Sequence, residues 1–250
     1  MGMSGRLLRP RNAFTPRSIA NLAVWFDATN TASLTFNSTT VSQWNDLSGN
    51  GYHATQSTGA NQPTYLATGM NSKPALEFTS SASNLLNSTA TIANVFATPT
   101  TSPAATIFAV MRNPSGVTNS VFGTNSDTNG RLGYFSRFSS TTTFFDIVNT
   151  TDGRLSITTS QSEAEAVAIH TLFRSGATQT ARYNGSQKAT KSNATSNFTT
   201  TTATIQIGKG LSSGNAAIFS ELVFYARALT TTEISAVERY LASKYGITLA

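Results

Sequence analysis

The sequence predicts an all-β fold: a two-sheet antiparallel sandwich closed by one C-terminal α-helix. Three observations predict it. About a dozen short apolar runs alternate with turn residues, the pattern of strands joined by tight turns. Charged residues make up only 11% of the 250 residues, against roughly 25% in ordinary soluble domains. Ser, Asn and Thr take the place of charge, and β-branched Thr suits strands. A convincing helical period, with a cap at each end, occurs once, near the C-terminus. Hydrophobic content of 39% and aromatic content of 10% supply a core, and β chains of this length commonly form one domain. No internal repeat or second domain is visible.

Residues 1–17 read as an extended arm, because Pro10 and Pro16 break any helix and no apolar period runs through them. The boundary between arm and body is placed at 18/19. Strand candidates begin with 22–26 and 41–44, the second ended by the turn at 46–51. Residues 63–66 and 74–78 follow, then 106–111, whose unbroken apolar character marks a central strand. Residues 121–122, 131–138 and 141–148 read as a meander continued by 155–159 and 166–174. In 181–188, Asn184-Gly185 tolerates the positive φ of both central positions of a type I′ turn, so this is a hairpin. Residues 204–208 alternate with period two, placing Ile205 and Ile207 on one face, and 218–225 is the last strand. The helix is predicted over Thr231–Tyr245. Thr230 and Glu233 form a capping box, and Leu229 and Ile234 a hydrophobic staple. Ile234, Val237 and Leu241, flanked by Tyr240, make the apolar stripe. Gly246 is placed as a left-handed C-cap, with Ile247 folding back on the last turn.

The chain has no cysteine, which excludes a disulfide framework and thiolate chemistry. Two histidines exclude a His-rich metal site, and no cofactor is expected. No apolar run reaches the roughly 18 residues that span a bilayer. The basic N-terminus lacks the apolar stretch of a secretory signal, so synthesis and assembly in a cytoplasm are expected. Sequons at Asn37 and Asn193 are then chance products of a Ser/Thr/Asn-rich chain. Of the net charge of +6, Arg6, Arg9, Arg11 and Arg17 supply four charges before the first acid, Asp27. The remaining residues carry 13 basic and 11 acidic groups. A basic arm binds nucleic acid or an acidic groove on a protein. The protein groove is favoured, because the arm has no interleaved aromatics for base stacking and four arginines give only salt-sensitive phosphate binding. An arm of this composition orders only when a neighbour holds it, so an ordered arm is the expected sign of an assembly.

Trp44, Asp46, Ser48, Gly49, Asn50, His53 and Thr55 reproduce the spacing W-x-D-x-S-G-N-x-x-H-x-T. This resembles the signature of concanavalin A-like (laminin-G-like) sandwich domains. Residues 220–234 resemble the closing segment of the same family, where the last strand runs through an Arg-Ala-Leu turn, here Arg227-Ala228-Leu229, into an Ala/Glu-rich helix. Residues 19–28 and 240–247 resemble versions of the domain common in bacteriophage and bacterial proteins. The resemblance covers roughly residues 19–248, specific at both ends and generic in the middle. It implies a jelly-roll of two antiparallel sheets, a fold that does not fix function. Members include lectins, glycoside hydrolases, adhesion modules and virion proteins.

Glycosidic hydrolysis needs two carboxylates about 5–10 Å apart. The hydrolases of the resembled fold carry Glu-x-Asp-x-x-Glu on a central strand, and this chain has no such run. Glu163 and Glu165 read as a solvated pair at a strand edge or in a loop. Glu221 falls where the family packs a residue against the helix turn, a structural role. His53 reads as a hydrogen-bonding residue of the signature loop, and His170 as a half-buried core histidine; neither belongs to a serine–acid triad. Residues 125–130 superficially resemble a calcium loop, but begin with Asn and have Ser136 where a bidentate Glu belongs, so a hairpin loop is expected. The best sugar-binding cluster is Trp44, Asn45, Asp46, Asn50 and Tyr52, an aromatic group beside amide and carboxylate partners. Trp25 and Trp44 nevertheless lie in apolar strands, where core packing competes with a binding role.

Lack of a signal peptide and of cysteine, a Thr/Ser-rich body and a basic arm together resemble a bacteriophage structural protein. The expectation is a non-enzymatic virion component, a capsid decoration protein or a head or tail fibre part. Arg6, Arg9, Arg11 and Arg17 would anchor it to major capsid, tail or portal neighbours, in a homo-oligomer. The alternative is a lectin-like module that recognises host surface glycans.

Overall fold

The computed structural model describes residues 14–79, 81, 83–114, 120–126, 129–148, 150–210, 213–214 and 216–250. Its strands are β1 (Leu22–Asp27), β2 (Leu34–Asn37), β3 (Thr40–Trp44), β4 (Ala54–Thr55), β5 (Thr64–Met70), β6 (Lys73–Phe78), β7 (Leu86–Thr91), β8 (Ala104–Arg112) and β9 (Ser120–Thr124). Then come β10 (Leu132–Phe135), β11 (Thr142–Ile147), β12 (Arg154–Thr158), β13 (Ala168–Ser175), β14 (Thr178–Tyr183), β15 (Ser186–Lys191), β16 (Thr204–Gly210), β17 (Ser213–Gly214) and β18 (Ala217–Tyr225). Helices are α1 (Ile92–Val95), α2 (Gln161–Glu165) and α3 (Thr231–Tyr245).

The strands pair antiparallel in two runs. One follows β15–β14–β13–β8–β18, with β1 and β6 sharing the far edge of β18 and β5 outside β6. The other follows β12–β11–β10–β9–β16–β7–β4–β3–β2. The expected separation into two sheets is modified here. Thr40 of β3 pairs with Thr64 of β5, and flanking bonds from Val41 N to Pro63 O (2.9 Å) and Tyr65 N to Thr39 O (2.9 Å) extend that junction. The described strands therefore form one connected sheet that nearly closes on itself. Among the described strands, the two runs stay open to each other at β12 and β15, which lie side by side without ladder pairing.

The main core fills the space between the runs. Phe26 meets Trp44 at 5.3 Å, and Phe122 meets Phe219 and Phe224 at 6.3 and 6.0 Å. A second core lies between the outer face of the first run and α3, joining Phe108, Val110, Ile169 and Val223 to Ile234, Val237, Leu241 and Tyr245. Strands β8 and β18 are thus covered on both faces, which is why their sequences read as unbroken apolar runs rather than alternating ones. Each aliphatic side chain of the helix stripe contributes about 1.5–3 kcal/mol by leaving water.

The helix ends follow the sequence. Thr230 Oγ1 accepts from Glu233 N at 3.3 Å, and Glu233 Oε2 accepts from Thr230 N at 2.9 Å. Gly246 has φ 63°, and Ile247 N donates to Ala242 O at 3.0 Å. The β14–β15 turn has φ 47° at Asn184 and 82° at Gly185. Several elements go beyond the sequence reading. β7 alternates in burial, but its inward residues after Leu86 are the small Ser88 and Ala90, too weak a pattern to stand out. Residues 163 and 165 lie in α2 rather than at a strand edge or in a loop, because Ser160 and Glu163 form a capping box. The end of the expected arm belongs to the body: Pro16–Ser18 is a 3-10 turn, Phe14 packs on Tyr240 at 5.9 Å, and Pro16 O accepts from Tyr225 OH at 2.9 Å. Arg17 Nε donates to Leu47 O at 2.6 Å. Arg6, Arg9 and Arg11 lie outside the described residues.

Candidate functional site

The signature loop folds around its own carboxylate. Asp46 Oδ1 accepts from Trp25 N (2.9 Å) and Ser48 N (2.8 Å), and Oδ2 from Ser48 Oγ (2.6 Å) and Tyr52 N (3.1 Å). Asn50 Nδ2 donates to Leu22 O and Ala23 O at 3.0 and 2.8 Å. His53 Nδ1 accepts from Asp46 N at 3.1 Å, the loop-bracing role expected of it. Asn45 Oδ1 accepts from Gln43 Nε2 at 2.6 Å. The structure thus gathers Asp46, Asn50 and Tyr52 into one loop, but commits the polar groups of Asp46 and Asn50 to β1 and the loop itself. Trp44 is 0% exposed within the main core, so the aromatic platform expected of it has no surface: a central strand residue facing the opposite run has no ring face to offer a sugar.

Other titratable groups resolve into braces. Glu221, 0% exposed, accepts from Trp25 Nε1 (2.8 Å) and Tyr240 OH (3.2 Å) through Oε1, and from Lys244 Nζ (2.7 Å) and Tyr245 OH (2.9 Å) through Oε2. Lys244 also reaches Asp27 Oδ2 at 2.6 Å. Burial pushes the Glu221 carboxyl up, and Lys244 opposes that shift. This network ties α3 to β1 and β18; its carboxylate Glu221 is sealed in, while Lys244 keeps an 18% exposed side chain. Glu163 pairs with Lys188 at 2.6 Å and Glu165 with the buried Arg137 at 3.0 Å, two separate ion pairs rather than a catalytic couple. His170 is fully rather than half buried, and its Nδ1 lies 2.7 Å from Tyr134 OH. In the calcium-like loop, Asp127 and Thr128 lie outside the described residues; Asn125 Oδ1 accepts from Thr204 N at 3.1 Å.

A different surface has the features of a binding site. Along β11, Phe145 and Ile147 face the core, so alternation turns Phe144 and Asp146 outward; the same argument turns out Phe135 on β10 and Arg154 and Ser156 on β12. Phe138 meets Phe144 at 4.6 Å and Phe135 at 6.4 Å, and is 43% exposed. The Arg154 guanidinium lies 4.3 Å from the Phe144 centroid, and that of Arg131 5.0 Å from Phe135. Asp146 holds both arginines: Arg154 Nε and Nη2 at 2.8 and 2.6 Å, and Arg131 Nη2 at 2.7 Å. The Asp146 bonds hold Arg154 more firmly protonated. Stacking and bidentate pairing together lock the orientation of these side chains.

This aromatic and cationic strip runs into the seam of the sheet. A groove of about 660 Å³ lies there, lined by Thr150, Thr151, Arg154, Ser156, Thr190 and Lys191 with Leu155 beneath. Its size falls within the roughly 300–1,000 Å³ of small-molecule sites. Lys191 Nζ spans the seam to Thr151 O at 2.7 Å and Arg154 O at 3.4 Å. Val148, at the foot of the same turn, has φ 64°, a left-handed conformation that strains a β-branched residue by roughly 1–3 kcal/mol. The lining residues are hydroxyls and cations, with no carboxylate among them. The sequence carried a weak trace of this surface in Phe135, Phe138 and Phe144, but nothing in it showed that β12 and β15 become neighbours.

No protein-family model and no curated protein matches the sequence. Solved structures do resemble the fold. Trypanosoma rangeli sialidase in complex with sialic acid aligns over 93% of this chain and 34% of that chain, with 14% identity and a TM-score of 0.61. Domain 4 of AbnA, a GH43 extracellular arabinanase from Geobacillus stearothermophilus, in complex with arabinotriose, aligns over 87% of this chain and 98% of that chain, with 14% identity and a TM-score of 0.62. The binding domain of botulinum neurotoxin serotype G aligns over 89% of this chain and 52% of that one, with 13% identity and a TM-score of 0.63. The chain thus spans about a third of the sialidase and half of the neurotoxin domain. At these identities the likeness is one of fold.

Proposed function

We propose that this chain is a non-catalytic glycan-binding module of jelly-roll type, which takes saccharides along the strip from Phe138 to the β12–β15 groove. The observation that carries this reading is the exposed Phe138 ring beside the locked Phe144–Arg154–Asp146 array, opening into a hydroxyl-lined groove. Aromatic faces stack on the apolar faces of sugar rings while fixed polar groups read hydroxyls. Two of the structurally similar proteins hold a saccharide, which agrees with the reading. Binding rather than hydrolysis is supported by Asp146, whose two oxygens are taken by guanidinium donors, and by a groove lining without an acid–base pair. Glycan-array binding and calorimetry on Phe138→Ala test it. Phe138 is exposed, so the fold should persist while affinity falls about tenfold or more, equivalent to about 1.4 kcal/mol. Unchanged binding by the variant would remove the strip from the site.

A second reading is the virion structural protein, a decoration or fibre component anchored through its arginine arm. It rests on the resemblance of both chain ends and on the arginines, and is compatible with glycan binding. The seating of Phe14 on Tyr240 and of Pro16 on Tyr225 fixes where such an arm would join the body. Deleting residues 1–13 should abolish incorporation into particles and leave the melting temperature unchanged. Normal incorporation of the truncated chain would end this reading.

A further inference from the structure

We propose that the β12–β15 groove is selective for acidic saccharides, those bearing carboxylate or sulfate groups. This rests on the glycan-binding reading above and adds the ligand's charge to it. Three observations carry the inference. First, the two cations lining the groove keep unused donors among the described residues. Arg154 spends Nε and Nη2 on Asp146, and its Nη1 has no partner among the described residues. Lys191 Nζ spends two of its three protons on the carbonyls of Thr151 and Arg154. A bound anion is the natural acceptor for these donors, since charge-assisted bonds are the stronger ones.

Second, among the described residues the formal cations around the groove outnumber the carboxylates. Arg131, Arg154 and Lys191 stand against Asp146, which the two arginines share, and Asp152, in the turn that forms one wall, whose bond is to the neutral Thr195 Oγ1 at 3.2 Å. Third, a cation without a carboxylate partner among the described residues lies one hydrogen-bonded step from the groove, through Ser196. Arg174 is 1% exposed and bonds neutral acceptors alone: Gly176 O, Gln179 Oε1 at 2.9 Å, Ala194 O at 2.5 Å and Ser196 O at 3.2 Å. Ser196 Oγ in turn meets Thr150 Oγ1, a groove residue, at 2.5 Å. A buried guanidinium without a carboxylate raises the potential of the surface above it, and concave walls of low dielectric focus that field. The remaining lining hydroxyls, from Thr150, Thr151, Ser156 and Thr190, suit the neutral part of a saccharide.

A plain alternative for Lys191 is protection of an unpaired strand edge against intermolecular pairing; that role needs charge but no ligand. The deciding experiment is a glycan array in which each neutral oligosaccharide is matched with its carboxylated or sulfated form, followed by calorimetry on the best pair at low and high salt. The expected result is binding confined to acidic members, weakened about tenfold or more in Lys191→Met and on raising the salt, and restored by Lys191→Arg. A thermal melt of each variant separates lost binding from lost fold. Equal binding of neutral and acidic partners overturns the charge selectivity while the glycan-binding reading stands. Acidic binding untouched by Lys191→Met in a folded variant removes the groove as the site. No binding to any member overturns both proposals together.

Discussion

Replacing His170 with phenylalanine should remove much of the chain's sensitivity to acid. His170 sits between the two strand runs, with Nδ1 bonded to Tyr134 OH and Nε2 without a partner. Tyr134 OH also meets Tyr183 OH at 2.9 Å. Burial lowers the imidazole from its ordinary 6.5 to about 3. Above pH 6.5 neither the folded nor the unfolded chain protonates it. Below that, the unfolded chain binds a proton that the folded chain refuses until about pH 3, so stability falls as the pH falls, by about 1.4 kcal/mol per unit. The loss is roughly 2.7 kcal/mol at pH 4.5 and approaches about 5 kcal/mol near pH 3, a large part of the roughly 5–15 kcal/mol typical of a folded domain. Urea unfolding of wild type and His170→Phe at pH 7.5 and 4.5 measures it. At pH 7.5 the two should agree within about 1–2 kcal/mol, since the change deletes an unpaired Nε2 and leaves Tyr134 its bond to Tyr183. At pH 4.5 the variant should keep about 2–3 kcal/mol more of its neutral stability than the wild type. Parallel losses in the two proteins, or an imidazole titrating near 6.5 in the folded state by NMR, would refute the reasoning.

Lys244→Met should destabilise the chain by about 3–5 kcal/mol, because it leaves Glu221 and Asp27 buried beside each other without their shared cation. Adding Glu221→Gln should recover part of that loss in the same urea experiment; no recovery would show that packing of the lysine stem, not charge, was lost. Thr230→Ala should cost about 1 kcal/mol through the lost N-cap of α3, read as a lower thermal midpoint with glycan affinity unchanged.

The legible parts of the fold were those in which local chemistry and burial agree. The capping box of Thr230 and Glu233, the left-handed Gly246 and the Asn184-Gly185 turn each need only their own few residues, and each is found as expected. The doubly buried β8 and β18 stood out because both faces are apolar. β2 and β4 were missed because they are short, and β7 because its buried face is nearly all small residues. The binding cluster was misjudged at Trp44 for a related reason: an aromatic residue beside Asn and Asp has the same composition whether it faces a ligand or the core. Nor does Asp46 announce that Trp25 N, Ser48 and Tyr52 N occupy both its oxygens.

By itself the sequence determined most of the longer strands, the caps of helix α3 and an antiparallel β architecture, because these depend on period, propensity and turn chemistry within short windows. It also carried the charge imbalance of the N-terminal residues. Tertiary structure alone decided that β3 meets β5 while β12 and β15 stay unpaired, since strand neighbours depend on contacts distant in sequence. That pairing leaves the seam, and the seam gathers Arg154, Lys191 and the threonines of two separate segments, 150–151 and 190, into one groove. Side-chain direction followed from the same cause: which residues of β10, β11 and β12 face out was set by the run packed against their other side.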